Sequence, residues 1–88
     1  METEFLEGDL LTIFSMRDTA KSRAVWNLPA SSPSGKSVGH RIIGRLQNES
    51  IVIFLKWTNE PNEGSFGEFE AITTFGVGFI NALHFTKL

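Results

Sequence analysis

The sequence predicts a small all-β domain, an antiparallel meander of about six strands that forms a curled sheet or a barrel. Its apolar segments are short, and each is bounded by Gly, Pro, Ser or Asn. No segment has the 3.6-residue periodicity of a capped amphipathic helix. With 88 residues, the chain has room for one domain, residues 1–88, whose core must be small.

The predicted strands follow one another along the whole chain. They cover residues 10–16, 24–28, 40–46, 51–58, 66–75 and 79–86. Polar or Gly-rich segments at 47–50, 59–64 and 76–78 predict the turns between the last four strands. The connection between the second and third strands, residues 29–39, is rich in Pro, Ser and Gly, and we expect a flexible loop there.

The fourth strand is apolar on both faces. Alternation assigns one face to Ile51, Ile53, Leu55 and Trp57 and the other face to Val52 and Phe54. An antiparallel strand with one face in water normally alternates apolar and polar residues. The second face therefore needs a cover, and we expect a homo-oligomer in which another subunit supplies it.

Composition excludes several classes of protein. Cysteine is absent, which rules out disulfides, thiolate metal sites and thiol catalysis and suits a cytoplasmic protein. No run of 18 apolar residues predicts a membrane-spanning helix. The acidic start, Met1-Glu2-Thr3-Glu4, lacks the basic residues of a signal peptide.

Charge is segregated along the chain, although the net charge is only -2. Between residues 17 and 45 there are six basic residues and one acidic residue. These charges can simply be solvated beside acidic neighbouring strands, or five of them can form a basic face that binds an acidic protein partner. These five are Arg17, Lys21, Arg23, Arg41 and Arg45. Binding to nucleic acid is not expected, because such domains are usually clearly basic overall.

Catalytic motifs are scarce. The segment Ala30–Ser37 matches a loosened phosphate-binding loop, but a strand rather than a helix follows it. The two histidines, His40 and His84, lack the spacing of a metal pair. Glu68 and Glu70 share one face of a strand, where solvated charge is the simplest interpretation. We therefore expect no enzyme activity, no cofactor and no metal.

Trp26 and Trp57 lie at the ends of predicted strands, beside polar loops. In a small barrel, a tryptophan at such a position can line the mouth and hold a ligand. Both tryptophans can equally fill the core, and the sequence leaves these alternatives open.

Residues 40–86 resemble the middle of the avidin and streptavidin family. The similar segments are Ile43–Asn48, Ile51–Trp57, Ser65–Phe69 and Ile80–Phe85, with their Gly turns and aromatic strands. The resemblance implies a meander barrel with paired subunits. It places Trp57 at the first tryptophan of the ligand wall, and Ser65 and His84 at two further aromatic wall positions.

The chain departs from that family at the ligand. Ser65 stands where the family has a second aromatic wall residue, and His84 stands where it has another tryptophan. Pro61 and Glu63 replace the polar hydroxyls that precede the second wall. Biotin binding is therefore not expected.

Two functions remain. The first is a non-enzymatic module that holds a small ligand at a barrel mouth through Trp57, Trp26, Ser65 and His84. The alternative is a small inhibitor or adaptor that covers a surface of a macromolecular partner.

Overall fold

The computed structural model describes residues 4–13, 22–29 and 39–88. Their secondary structure is entirely β, which confirms the predicted class. The seven strands are β1 (Leu10–Ile13), β2 (Arg23–Trp26), β3 (Ile42–Leu46), β4 (Ile51–Asn59), β5 (Glu68–Thr73), β6 (Gly76–Asn81) and β7 (Phe85–Lys87). In the part of the chain described, no helix is long and apolar enough to cross a membrane.

All seven strands form one antiparallel sheet in the order β3-β2-β6-β5-β4-β1-β7. Strands β4, β5 and β6 form the predicted meander. The hairpin β2–β3 adds to β6, and β1 inserts between β4 and β7. Among the described residues, strands β3 and β7 are the two edges, and the curled sheet formed by these residues does not close into a barrel.

The segment Gly76–Gly78 is not a turn, contrary to the prediction, because it belongs to β6. The turn consists of Thr74 and Phe75, directly before this segment. The Thr73 hydroxyl accepts a hydrogen bond from the Phe75 amide (2.9 Å) and donates one to the Gly76 carbonyl (2.8 Å). These bonds close the hairpin between Thr73 and Gly76, which pair directly.

The predicted sixth strand is divided in two. β6 ends at Asn81, whose side-chain oxygen accepts a hydrogen bond from the Leu83 amide (2.9 Å). His84 then adopts a left-handed backbone with a φ of 72°. These two features turn the chain so that β7 pairs with β1 rather than extending β6.

One face of the sheet carries the core. Its buried side chains are Phe5, Leu11, Ile13, Val25, Leu46, Val52, Phe54, Phe69, Ala71, Ile80, Ala82 and Phe85. The strand residues among them come from all seven strands, and Phe5 precedes β1. The curl of the sheet brings these side chains together, and the opposite face, called here the outer face, remains free of them.

A β-bulge at Leu55 changes the face on which Trp57 lies. Phe54 pairs with Ala71 and Lys56 pairs with Glu70, so Leu55 is the extra residue. Trp57 consequently lies opposite the buried Phe69 and packs against the core. Strict alternation had assigned it to the face of Ile51 and Ile53, which was wrong because a bulge shifts the alternation by one residue.

Candidate functional site

A pocket of about 310 Å³ lies on the outer face, beside the loop that joins β4 to β5. The residues lining it are Trp26, His40, Asn59, Ser65, Gly67, Glu68 and Asn81. Its volume is at the lower end of the range for small-molecule sites, which suits a ligand of one or two rings.

Strand pairing places three of the lining residues in a row. Glu68 pairs with Asn59 on one side and with Asn81 on the other. Its neighbour Phe69 and the neighbouring Ile80 of β6 are fully buried on the core face. Because side chains alternate along a strand, Glu68 and Asn81 must lie on the outer face.

The aromatic wall of the pocket is a stacked pair of rings. The Trp26 and His40 ring centroids are 4.5 Å apart, and the ring planes differ by 10°. Asn27 holds this pair together, because its side-chain oxygen accepts a hydrogen bond from the Arg41 amide (2.8 Å) and its amide group donates to the Gly39 carbonyl. Its own backbone amide donates to the Arg41 carbonyl (3.0 Å).

His40 brings an unused polar atom to the pocket wall. Its Nε2 is buried and has no hydrogen-bond partner among the residues that the structure describes. A buried polar atom normally has such a partner, since leaving one unpaired costs about 1–3 kcal/mol. Nε2 can donate or accept, according to the tautomer of the ring.

The loop side of the pocket is held by local hydrogen bonds. Asn62 and Ser65 form an isolated β-bridge. The Ser65 hydroxyl accepts from the Gly67 amide (3.0 Å), and the Gly67 carbonyl accepts from the Ala82 amide (2.9 Å). The pocket rim is therefore tied to the turn between β6 and β7.

The lining of the pocket carries one carboxylate and, among the described residues, neither lysine nor arginine. The carboxylate belongs to Glu68, which accepts a 2.7 Å hydrogen bond from the Thr58 hydroxyl. Asn81 keeps its side-chain oxygen on the Leu83 amide, so its NH₂ group is left to donate. This environment disfavours anionic ligands and offers hydrogen bonds to neutral ones.

The structure brings together two of the four residues predicted to bind a ligand. Trp26 and Ser65 both line the pocket. Trp57 does not line it, because its ring packs on the core side against Phe5, Phe54 and Phe69.

His84 also lies away from the pocket, in the turn before β7. Arg23 reaches this turn: its Nη2 donates to the Leu83 carbonyl (3.1 Å) and lies 3.3 Å from His84 Nδ1. Burial lowers the pKa of the Arg23 guanidinium, since desolvation disfavours the charged form. Arg23 thus contacts its own chain, although the sequence had suggested a partner-binding role.

Of the five basic residues predicted to bind a partner, the structure describes Arg23, Arg41 and Arg45. Arg41 and Arg45 are both exposed. Arg41 directly precedes the edge strand β3, and Arg45 lies within it. Arg17 and Lys21 lie outside the described residues, as does most of the predicted loop, residues 30–38.

The two carboxylates predicted to share a face do so, with different partners. Glu68 lines the pocket, whereas Glu70 lies 3.9 Å from the Lys56 ammonium group. Within residues 4–13, 22–29 and 39–88, no three His, Asp or Glu side chains are grouped as metal ligands.

Sequence reasoning missed five lining residues, namely His40, Asn59, Gly67, Glu68 and Asn81. They are dispersed over four parts of the chain and meet only through strand pairing. One partial signal was available, since Asn59 directly follows the predicted strand 51–58, whereas Glu68 and Asn81 lie within predicted strands and only the structure places them at strand ends. Polar residues at neighbouring strand ends indicate a possible site.

No family model, curated protein or solved structure matches the chain. The resemblance to the avidin family is not tested by these comparisons and stays a prediction.

Proposed function

We propose that this protein is a non-enzymatic binding module for a small neutral ligand, held in the outer-face pocket beside Trp26 and His40. One observation carries the proposal: a pocket-lining residue, His40, keeps a buried ring nitrogen without a partner among the described residues. A ligand group at this atom would satisfy it. The absence of cysteine supports a cytoplasmic location for the module.

The chemistry of the lining supports a ring-shaped ligand with several hydroxyl or amide groups. The stacked rings of Trp26 and His40 form an apolar wall. Across from it, the side chains of Asn59, Ser65 and Asn81 offer donors and acceptors. A free monosaccharide or a nucleoside has the matching size and polarity.

Electrostatics supports a neutral rather than a phosphorylated ligand. Glu68 is the charged group of the lining, and a phosphate near its carboxylate would be repelled. Helix N-termini and arginine forks, which usually bind phosphate, do not occur in the described lining.

Nuclear magnetic resonance can test the proposal, because the chain has only two indole N–H groups. ¹⁵N-labelled protein is titrated with a panel of monosaccharides and nucleosides and with their phosphorylated counterparts. We expect at least one neutral compound to shift the Trp26 indole signal and to leave that of Trp57 unchanged. Stronger binding of the phosphorylated form, or no shift with any neutral compound, would contradict the proposal.

A conservative substitution identifies the pocket as the binding site. Asn81→Asp keeps the oxygen that accepts from Leu83 but removes the free NH₂ donor. We expect this variant to bind the active compound roughly tenfold more weakly, the effect of losing one hydrogen bond. Gln47→Ala, on the exposed turn after β3, serves as the control and should bind like the wild type.

A further inference from the structure

The outer face carries a stripe of apolar side chains across four adjacent strands. Leu10 of β1 pairs with Ile53 of β4, Ile53 with Ile72 of β5, and Ile72 with Val77 of β6. These four residues, called here the apolar stripe, lie on the face opposite the core because their strand neighbours are buried.

The stripe is open to solvent. The exposed fractions of Leu10, Ile72 and Val77 are 48%, 41% and 50%. Ile51, two residues before Ile53 on the same strand, is 52% exposed and widens the stripe. A contiguous apolar surface on a small protein usually marks a site of interaction.

The charges beside the stripe favour a second copy of the chain as its partner. In the next row of the same face, Lys56 pairs with Glu70, and their charged atoms are 3.9 Å apart. Two copies related by a two-fold axis present the same surface to each other. A face whose charges all had the same sign would therefore repel the same face of the other copy. This row is neutral and carries both signs, and each copy can therefore match the other.

The size of the molecule is also sufficient. Its described extents are 34 × 27 × 25 Å. One broad face of these dimensions can supply the roughly 800 Å² per partner that a standard interface buries. Two sheets that pack through apolar faces form a sandwich about 10 Å thick.

We propose that two copies of this chain pack outer face to outer face through the apolar stripe, forming a β-sandwich between subunits. The second copy then covers the stripe on the outer face, while the core covers the opposite face of the sheet. This accounts for the apolar character of both faces of β4. The inference depends on the stripe alone; because the pocket lies on the same face, an interface of this size would also restrict access to the pocket.

Sedimentation equilibrium across a concentration series tests the proposal. We expect the wild type to have twice the 9.8 kDa chain mass at tens of micromolar. Ile72→Lys should raise the dimer dissociation constant by roughly tenfold or more, because it buries an unpaired charge at the interface. Leu6→Lys is the matched control, since Leu6 is 69% exposed and outside the stripe.

Circular dichroism of each variant establishes that the sheet is intact. A wild type that remains monomeric over the whole concentration series would overturn the proposal. A dimer with the same affinity in Ile72→Lys would also overturn it and would indicate pairing elsewhere, for example at the open edge of β3.

Discussion

Trp57 lies directly opposite Phe69 across strands β4 and β5, with ring centroids 5.9 Å apart and ring planes at 87°. The pair exists because the bulge at Leu55 moves Trp57 to the core face. Phe5 stacks on the other side of the indole, at 5.6 Å and 11°. Trp57 therefore joins the segment before β1 to the centre of the sheet.

We expect Trp57→Ala to lower the free energy of unfolding by about 3 kcal/mol, because it leaves a cavity among three aromatic rings. Urea denaturation followed by circular dichroism measures the change. Trp57→Phe keeps a ring in the cluster and should lose less than half as much. If Trp57→Ala has the same midpoint of urea unfolding as the wild type, the indole does not stabilise the core.

Gly67→Ala should destabilise the loop that carries the pocket. Gly67 has a φ of 89°, and a Cβ there would lie 2.7 Å from the Asn59 carbonyl oxygen and 2.9 Å from the Pro61 nitrogen. Backbone strain and steric contact together predict a loss of about 2–4 kcal/mol in thermal or urea unfolding.

A matched glycine separates these two causes. Gly76 also has a positive φ, 102°, but a Cβ there would meet nothing within 4 Å. Gly76→Ala should therefore cost only the strain, about 1 kcal/mol. Equal losses in the two variants would argue against close backbone approach at Gly67.

Asn27→Ala should release His40 from Trp26. Asn27 makes both side-chain hydrogen bonds that hold residues 39 and 41 against β2. In the wild type, stacking at 4.5 Å places the His40 ring protons over the indole and shifts their NMR signals upfield. We expect this shift to disappear in Asn27→Ala, while the core signals of Phe69 and Ile80 stay unchanged.

If the upfield shift is retained in Asn27→Ala, the stacking of His40 on Trp26 does not depend on the Asn27 side chain. Asn62→Ala provides the control, because it removes an equivalent Asn side-chain bond, to the Gly64 amide, outside the pocket lining.

Arg23→Met should destabilise the fold by about 1–3 kcal/mol. The substitution removes the charged hydrogen bond to the Leu83 carbonyl and the contact with His84, which hold the turn before β7. Arg45→Met, on the exposed edge strand, is the comparison and should change stability by less than about 0.5 kcal/mol. If both variants unfold alike, the Arg23 contact contributes nothing to stability.

The class of fold and most of the strands could be predicted from local sequence patterns. Short apolar segments and polar turns identified β3, β4 and β5 within two residues at most of their ends. This was possible because alternation and turn chemistry are local properties. The prediction was wrong at two places. The bulge at Leu55 shifted the alternation of side chains along β4, and the Thr73 hydroxyl set the position of the β5–β6 turn.

Which distant residues lie next to one another could not be predicted in this way and is known from the folded structure. The pocket joins Trp26, His40, Asn59 and Asn81, which are far apart in the chain. They meet because β6 pairs with both β2 and β5, an order that no local pattern determines. In the same way, pairing of β1 with β4 aligns Leu10 with Ile53 and extends the apolar stripe. Strand order depends on which distant segments bury each other best, and this is a property of the whole chain.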